Sequence, residues 1–258
     1  MEKTEILPGI EAVGAALWID KLKILIIGDV HIGYEEALSK RGLAIPRLQF
    51  KESMNNIREI LECVGKPEII VINGDLKHEF GEISDQEWFE TSKFLDFLIK
   101  NSSKVYLIKG NHDTILAPIA KRRGLEIVDY TCFDLKEKAK KKSIFDIKPQ
   151  KIKSFCVLHG DKVWKDKSVN NVDLLIMGHE HPAITLEEGP KREKYKCFLS
   201  GKMKKQRLII APSFLPISVG VDMRGSKFHS PYLKGNLDNF EVFVVGDKVY
   251  RFGKLKNL

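Results

Sequence analysis

Short runs of apolar residues that end in glycine or polar residues recur along the first two thirds of the chain. Five of them are alike, namely KILIIGD (23–29), EIIVINGD (68–75), KVYLIKGN (104–111), SFCVLHGD (154–161) and DLLIMGHE (173–180). Each run is apolar rather than alternating, which is expected of strands with both faces covered. AALWI (15–19) precedes the first run, and the intervening Asp20-Lys21 predicts a hairpin.

Between these runs, apolar residues recur at the spacing of a helix. Residues 48–63 predict one helix, which ends before Gly65. A second helix is predicted after Ser84, because Ser84 and Glu87 have the spacing of a capping box. Residues 114–123 predict a short third helix that ends at Gly124. The alternation of strands and helices predicts βαβ units and an α/β fold.

The pattern changes after residue 180, where short strands alternate with turns. AITLEE, KCFLS, RLIIAPS and FEVFVVGDKVYRF are such strands, and they predict a second sheet rich in antiparallel pairs. The chain has neither an internal repeat nor a Gly/Ser linker. We therefore expect residues 1–258 to form a single domain, with the polar strand ends at 28–181 and a β-rich part at 182–258.

The net charge and the cysteine content predict a basic surface and a cellular compartment. The net charge is +8, and residues 135–153 and 189–207 hold much of the excess. Such stretches either attract polyanions or form a solubilising Lys- and Glu-rich surface. Four cysteines without CxxC spacing predict free thiols, with Cys63 and Cys156 as core residues. Free thiols, no signal peptide and no apolar run of about 18 residues together predict a cytoplasmic protein without a membrane span.

Candidate chemistry is concentrated at the ends of the five apolar runs. The polar residues there are Asp29, His31, Asp75, Asn111, His112, Asp113, His159, His179 and His181. His78 follows Asp75 by three residues, and only His229 of the seven histidines lies elsewhere. Because ligands of α/β sheets bind at the carboxyl ends of strands, we expect one site here.

The types of side chain indicate what that site binds. Carboxylate, amide and imidazole groups without thiolates suit manganese, iron, zinc or nickel. The set holds more ligands than one ion needs, so it predicts two divalent ions. Such a pair clamps a phosphoryl group and activates a water for in-line attack.

Five motifs carry a resemblance to a known family. GDVHIG, NGDLKHE, KGNHD, LHGD and GHEH resemble the motifs of the calcineurin-like metallophosphoesterases, in the same order and over about residues 22–220. The resemblance implies a four-layer α/β/β/α sandwich with a dinuclear metal site at the carboxyl edge of the sheets. We expect Mn²⁺ as the metal, with iron, zinc and nickel as alternatives.

The resemblance also implies a role for each residue. Asp29, His31 and His181 would hold the first ion, Asn111, His159 and His179 the second, and Asp75 would bridge both. His112 would protonate the leaving oxygen or stabilise charge on the phosphoryl group, and Asp113 would orient the His112 ring.

Departures from the family pattern narrow the substrate class. The stretch GDLKHEF lacks the Gly-Asp-x-x-Asp-Arg-Gly of the protein phosphatases, and His112 favours phosphodiesters, whose alkoxide leaving group benefits from a proton donor. His78 matches the Gly-Asp-Leu-x-His of the SbcD-type DNA repair exonucleases, in which this histidine lies near the scissile phosphate. The chain is most similar to the compact archaeal SbcD-related predicted phosphoesterases.

Three functions remain open from the sequence. The first is a manganese-dependent phosphodiesterase or nuclease, with nucleic acid or a nucleotide diester as its partner. The second is a hydrolase of a small nucleotide, such as a cyclic nucleotide or a pyrophosphate. The third is a non-enzymatic scaffold, which the complete set of ligands disfavours.

Overall fold

Two β-sheets, five α-helices and two short 3-10 helices make up the computed structural model, which describes residues 1–43, 46–81, 83–135, 152–203, 205–225 and 227–258. The strands are β1 Thr4–Leu7, β2 Ile10–Val13, β3 Ala16–Ile19, β4 Ile24–Ile27, β5 Ile69–Asn73, β6 Lys104–Ile108, β7 Ile127–Val128, β8 Tyr130–Asp134, β9 Ser154–Leu158, β10 Leu174–Met177, β11 Pro182–Glu188, β12 Lys191–Met203, β13 Gln206–Ile210, β14 Val221–Asp222, β15 Glu241–Val245 and β16 Val249–Lys254. The helices are α1 Tyr34–Lys40, α2 Gln49–Val64, α3 Asp85–Lys100, α4 Ala117–Lys121 and α5 Lys167–Asn170.

The first sheet has seven strands in chain order, from β1 to β7. Strands β1 to β4 pair antiparallel, and β4 to β7 pair parallel. The predicted hairpin is confirmed, with Leu17 of β3 opposite Ile26 of β4. Helices α2 and α3, also predicted, cover one face of this sheet, where Ile57 and Phe94 are fully buried among the sheet residues.

The start of α3 departs in part from the predicted capping box. The Ser84 hydroxyl accepts a hydrogen bond from the Glu87 backbone N–H at 3.0 Å, as an N-cap does. The Glu87 carboxylate does not return to Ser84. It accepts instead from the backbone N–H groups of His78 and Glu79, at 2.9 and 3.1 Å. The first turn of α3 therefore holds the loop that follows β5.

The second sheet runs β14-β11-β12-β13-β10-β9-β8, with β15 and β16 added beside β12. Antiparallel pairs dominate it, as the sequence predicts for the residues after 180. β13 is an exception, because it pairs parallel with β10 and continues the parallel order of β9 and β10. The carboxyl ends of β9 and β10 consequently point to the same edge.

The two sheets pack face to face over an apolar core that includes Ile26, Val71, Phe155 and Ile176. The outer face of the second sheet is covered by α5 and by residues 228–240, where Leu237 and Phe240 are buried. The four-layer α/β/β/α arrangement is thus confirmed, with irregular chain supplying much of the fourth layer. α1, which the sequence did not predict, begins beside the carboxyl end of β4.

The prediction of four free thiols is wrong. Cys132 of β8 and Cys156 of β9 form a disulfide, and only Cys63 and Cys197 are free among the described residues. The two bonded cysteines are directly opposite each other in an antiparallel pair, with Cα atoms 4.0 Å apart. Their separation of 24 residues gives no sign of that contact, because it depends on the pairing of β8. Cys156 is fully buried, as predicted.

None of the helices in the described part of the chain has the length and apolar character needed to cross a membrane.

Candidate metal centre

Loops from both sheets meet at one edge of the molecule. The loop after β4 runs beside the loop after β5, since His31 N–H donates to Asp75 O at 2.9 Å and His78 N–H donates to Ile32 O at 2.9 Å. The second sheet joins this edge where Phe214 N–H donates to Gly28 O at 2.9 Å. The strand ends predicted to form one site are therefore adjacent in space.

Several site residues have an unusual backbone conformation. Among the residues that the structure describes, six non-glycine residues have a positive φ, and five of them are site residues. These five are Asp29, His31, Asp75, His179 and His181, with φ between 47° and 69°. Such conformations cost about 1–3 kcal/mol each and persist where the surrounding structure imposes them, which is typical of functional sites.

Two glycines in the motifs leave room for the carboxylates. A Cβ atom at Gly110 would collide with Asp75 Oδ1, and one at Gly178 would collide with Asp29 Oδ2. Both glycines therefore allow the backbone to pass directly against an acidic side chain.

Asp29, His31 and His181 form a first cluster, with one ligand atom from each lying within 4.8 Å of the others. His181 Nε2 lies 3.2 Å from Asp29 Oδ1 and 3.3 Å from His31 Nε2. Asp29 is fully buried and also accepts from the His179 backbone N–H at 3.1 Å. This cluster contains the residues that the resemblance implies for the first ion.

Asp75, His159 and His179 form a second cluster within the same limit of 4.8 Å. His159 Nε2 lies 3.3 Å from Asp75 Oδ2 and 3.2 Å from His179 Nδ1. Asn111 joins this cluster, because its Oδ1 is 3.1 Å from His159 Nε2. Asp75 also reaches the first cluster, with Oδ2 3.8 Å from His31 Nε2.

The charges at the centre fit divalent cations. Burial opposes ionisation of Asp29 and Asp75, yet nearby histidines lower the pKa of both carboxyl groups, His181 for Asp29 and chiefly His159 for Asp75. Burial would also lower the pKa of His159, but its hydrogen bond to Asp75 and the charges of both aspartates raise that pKa to about 10. A proton on His159 thus lies among buried carboxylates, and a metal ion bound by His159 would displace it.

Two further imidazoles at the centre, those of His31 and His78, have a lowered pKa. Burial, reinforced by the charge of His181, lowers the pKa of His31 to about 3. Burial and then the charge of His112 lower the pKa of His78 to about 4. Neutral imidazole is the form that binds a metal ion. His31, His78 and His112 form a third cluster, again within 4.8 Å.

His112 lies beside the second aspartate but is not oriented by Asp113. Its backbone N–H donates to Asp75 Oδ1 at 2.8 Å, and its Nε2 is 3.9 Å from Asp75 Oδ2. Its Nδ1 contacts the carbonyl oxygen of His78. Because a carbonyl only accepts, Nδ1 carries the hydrogen, and Nε2 is left for other partners.

The carboxylate of Asp113 makes contacts other than the one predicted to the His112 ring. Its buried carboxylate accepts from the backbone N–H groups of Gly110 and Leu76, both at 3.0 Å. Burial and the negative charge of Asp75 raise the pKa of Asp113 to about 6. Asp113 thus ties the loop after β6 to the loop after β5 through backbone N–H groups.

Three residues near the centre were not among the predicted site residues. Glu87 holds the backbone of the His78 loop from α3. Lys196 donates to Ser213 O at 2.6 Å and to Leu215 O at 2.5 Å, next to the segment that contacts Gly28. The Phe80 ring lies against His112. Glu87 was predicted only as part of a capping box and Lys196 only as part of a basic stretch, whereas Phe80 lies five residues after Asp75.

The basic stretches are only partly within the structure. Most of 135–153 lies outside the described residues, and so does position 204 of the stretch 189–207. The described part of 189–207 forms β12 and its flanks, with Arg192 and Lys194 exposed. His229 is exposed and joins none of the three clusters found among the described residues.

Comparison with known proteins agrees with this fold. The sequence profile of the calcineurin-like phosphoesterase family matches residues 22–206. A search of curated protein sequences gave no match.

Solved structures with a similar fold include the nuclease MPE of Pseudomonas putida, which is 18% identical, with 97% of this chain and 99% of that chain covered and a TM-score of 0.61. Weaker structural matches include YfcE, a phosphoesterase from E. coli, which is 13% identical over 87% of this chain and 88% of that chain, with a TM-score of 0.38. Another weak match is vacuolar protein sorting 29 of Cryptosporidium parvum, which is 18% identical over 90% of this chain and 97% of that chain, with a TM-score of 0.37.

Proposed function

The chain belongs to the calcineurin-like phosphoesterase family. From that premise we propose that it is a phosphodiesterase that cleaves nucleic acid. It would use two divalent cations, preferably Mn²⁺. Family membership implies metal-dependent hydrolysis of a phosphoester. The single observation that carries the proposal is the convergence of two buried carboxylates and four histidines in two adjoining clusters.

In this proposal the two clusters hold one ion each. Asp29, His31 and His181 would hold the first, Asn111, His159 and His179 the second, and Asp75 would contribute to both. Distances of 3.1–3.8 Å between their ligand atoms support this assignment. When bound, the cations would supply the positive charge that holds a phosphoryl group and activates a water for in-line attack.

We assign proton donation to His112. Its Nδ1 donates to the His78 carbonyl, so Nε2 is the nitrogen that exchanges a proton with the leaving oxygen. The ring stays partly open to solvent, as a group that meets substrate must. Asp113 supports the same loop from below through its bonds to Gly110 and Leu76.

A nucleic-acid substrate is supported by charge and by the position of His78. The chain carries a net charge of +8, and a basic surface binds a polyanion by releasing counterions. The His78 ring stacks near His112, with centroids 5.2 Å apart. A histidine at that distance from the proton donor can contact the scissile phosphate, in keeping with assignment to the SbcD-related subgroup. The fold that the chain shares with the Pseudomonas putida nuclease agrees with this substrate class.

The proposal is tested with a panel of substrates in the presence of Mn²⁺. The panel comprises an aryl phosphodiester, the corresponding monoester, single-stranded and duplex DNA, RNA and cyclic nucleotides. We expect metal-stimulated cleavage of the diester and of at least one nucleic acid, with much slower turnover of the monoester. A steep fall of nucleic-acid affinity with rising salt is expected as well. Cleavage of cyclic nucleotides alone, without salt dependence, would support the small-nucleotide function instead.

His112→Asn tests the assigned proton donor. We expect turnover of the aryl diester to fall roughly 10²–10⁴-fold, the usual contribution of a general acid, because asparagine cannot supply the proton. Metal content, measured by elemental analysis, should stay at two equivalents, since His112 is not assigned as a ligand. Full activity of this variant would refute the role of His112, whereas loss of metal would make it a ligand.

A further inference from the structure

Phe80 is an exposed aromatic residue at the mouth of the metal centre. Its side chain is 52% exposed, although a phenylalanine ordinarily buries its ring. It belongs to none of the three apolar cores found among the described residues. Its ring lies against the His112 imidazole, with centroids 3.8 Å apart and an interplanar angle of 35°. The ring therefore contacts the assigned proton donor on one side and faces solvent elsewhere.

Phe80 ends a row of four rings that lines one side of the centre. Tyr34 packs edge-on against His78 at 4.6 Å between centroids, and His78 stacks on His112 at 5.2 Å. Phe80 follows His112. A row of ring faces beside charged groups is the arrangement by which proteins hold the bases of single-stranded nucleic acid.

The backbone under Phe80 is fixed before any ligand binds. The hydroxyl of Thr114 donates to the Phe80 carbonyl. On the other side, the Glu87 carboxylate holds the backbone N–H of Glu79 at 3.1 Å. Anchoring of this kind lowers the entropy that a ligand must overcome to use the ring.

We propose that Phe80 forms a base-binding subsite of the metal centre, which stacks on the nucleobase of the nucleoside that leaves during phosphodiester cleavage; this rests on the proposed function. The position of His112 indicates which of the two nucleosides of the substrate reaches Phe80. The leaving oxygen must lie at hydrogen-bond distance from His112 Nε2 when it takes the proton. The sugar attached to that oxygen then lies beside His112, and its base reaches the adjacent Phe80 ring.

The test uses dinucleotides that differ only in one base. The substrates are thymidylyl-thymidine and its two analogues in which either the 5′ or the 3′ nucleoside is abasic. Values of kcat and KM are measured with Mn²⁺ for the wild type, Phe80→Ala and Phe80→Trp. Phe89→Ala is the matched control, because Phe89 is an equally exposed phenylalanine, 63% exposed on α3, outside the row of rings.

We expect Phe80→Ala to lower kcat/KM for the complete dinucleotide roughly 5- to 100-fold, mainly through KM, as removal of a stacking ring does. The loss should be several-fold smaller for the analogue that lacks the leaving base. Phe80→Trp should restore kcat/KM to near the wild-type value, and Phe89→Ala should change nothing. An equal loss on all three substrates would make Phe80 a support for His112 and overturn the subsite.

Failure of the proposed function gives a different result. A wild-type protein that cleaves neither the dinucleotides nor the aryl diester would refute the proposed function. Binding of thymidine monophosphate, measured by calorimetry with Mn²⁺ present, then decides the subsite alone. Weaker binding by Phe80→Ala than by Phe89→Ala would support it, and equal affinities would overturn it.

Discussion

Lys196 is a lysine whose ammonium group is buried close to the metal centre. Its stem is partly exposed, but its ammonium group donates to Ser213 O, Ser213 Oγ and Leu215 O, at 2.6, 3.1 and 2.5 Å. Burial lowers the pKa of Lys196 to about 7, although the negative charge of Asp29 opposes that shift. The segment 213–215 also contacts the first sheet through Phe214. Lys196 thus helps to hold the wall of the site.

The lowered pKa of Lys196 makes stability depend on pH. Between pH 7 and about 10.5 the unfolded chain binds more protons than the folded chain, so stability rises with pH in that window. We expect the wild type to gain about 1 kcal/mol per pH unit relative to Lys196→Met between pH 7 and 9. Urea unfolding at both pH values measures this. In the control Lys202→Met, which changes an exposed residue of the same strand, the free energy of unfolding should change with pH as in the wild type. If the free energies of the wild type and Lys196→Met changed equally with pH, the prediction would be contradicted.

At the scale of elements, the pairing of β8 with β9 is a feature that the sequence did not predict. β8 is short and contains polar residues, so its apolar pattern is weak. Its partner β9 is buried and was predicted correctly. The disulfide between Cys132 and Cys156 joins the two strands at the edge of the second sheet. β8 therefore has a covalent attachment in addition to its backbone hydrogen bonds.

Reduction of this disulfide should destabilise the protein. A crosslink between residues 24 apart restricts the unfolded chain and contributes about 2–4 kcal/mol. We expect the urea midpoint of the wild type to fall when a reductant is added. Cys132→Ala should unfold at the midpoint of the reduced wild type, with or without reductant. Titration of the unreduced, unfolded wild type should detect two thiols, Cys63 and Cys197. Four thiols would contradict the disulfide.

At the scale of the whole molecule, the metal centre connects the two sheets. Asp29, His31, Asp75 and Asn111 follow strands of the first sheet, and His159, His179 and His181 follow strands of the second. Without cations, the charges of Asp29 and Asp75 repel each other, as the upward effect of Asp75 on the pKa of Asp29 indicates. Bound cations would replace this repulsion with ligand bonds to both sheets.

Metal should therefore stabilise the whole fold. An ion that binds only the folded state adds about 2.7 kcal/mol when its free concentration is 100 times its Kd. We expect Mn²⁺ to raise the Tm measured by calorimetry, and a chelator to reverse the increase. In Asp75→Asn, which lacks the assigned bridging carboxylate, the increase should be much smaller. An equal increase in the variant would show that the ions bind elsewhere.

Local patterns predicted much of this protein because they reflect local physics. The five apolar runs form buried strands, since continuous apolar residues are stable only where both faces are covered. Helices α2 and α3 follow from the periodic apolar face and from Ser84 as N-cap. The residues at the strand ends were predicted to converge because parallel strands carry their carboxyl ends to a common edge. That residues 1–258 form one domain stays a prediction.

The sequence by itself determined the two sheets, the helices over the first of them and the identity of the residues at the centre, because periodicity and strand order are encoded in neighbouring positions. Only the tertiary structure decided the contacts between distant segments. It paired Cys132 with Cys156, turned Asp113 toward backbone N–H groups and brought Phe80 against His112. These contacts depend on the directions of side chains from separate loops, which no spacing along the chain records.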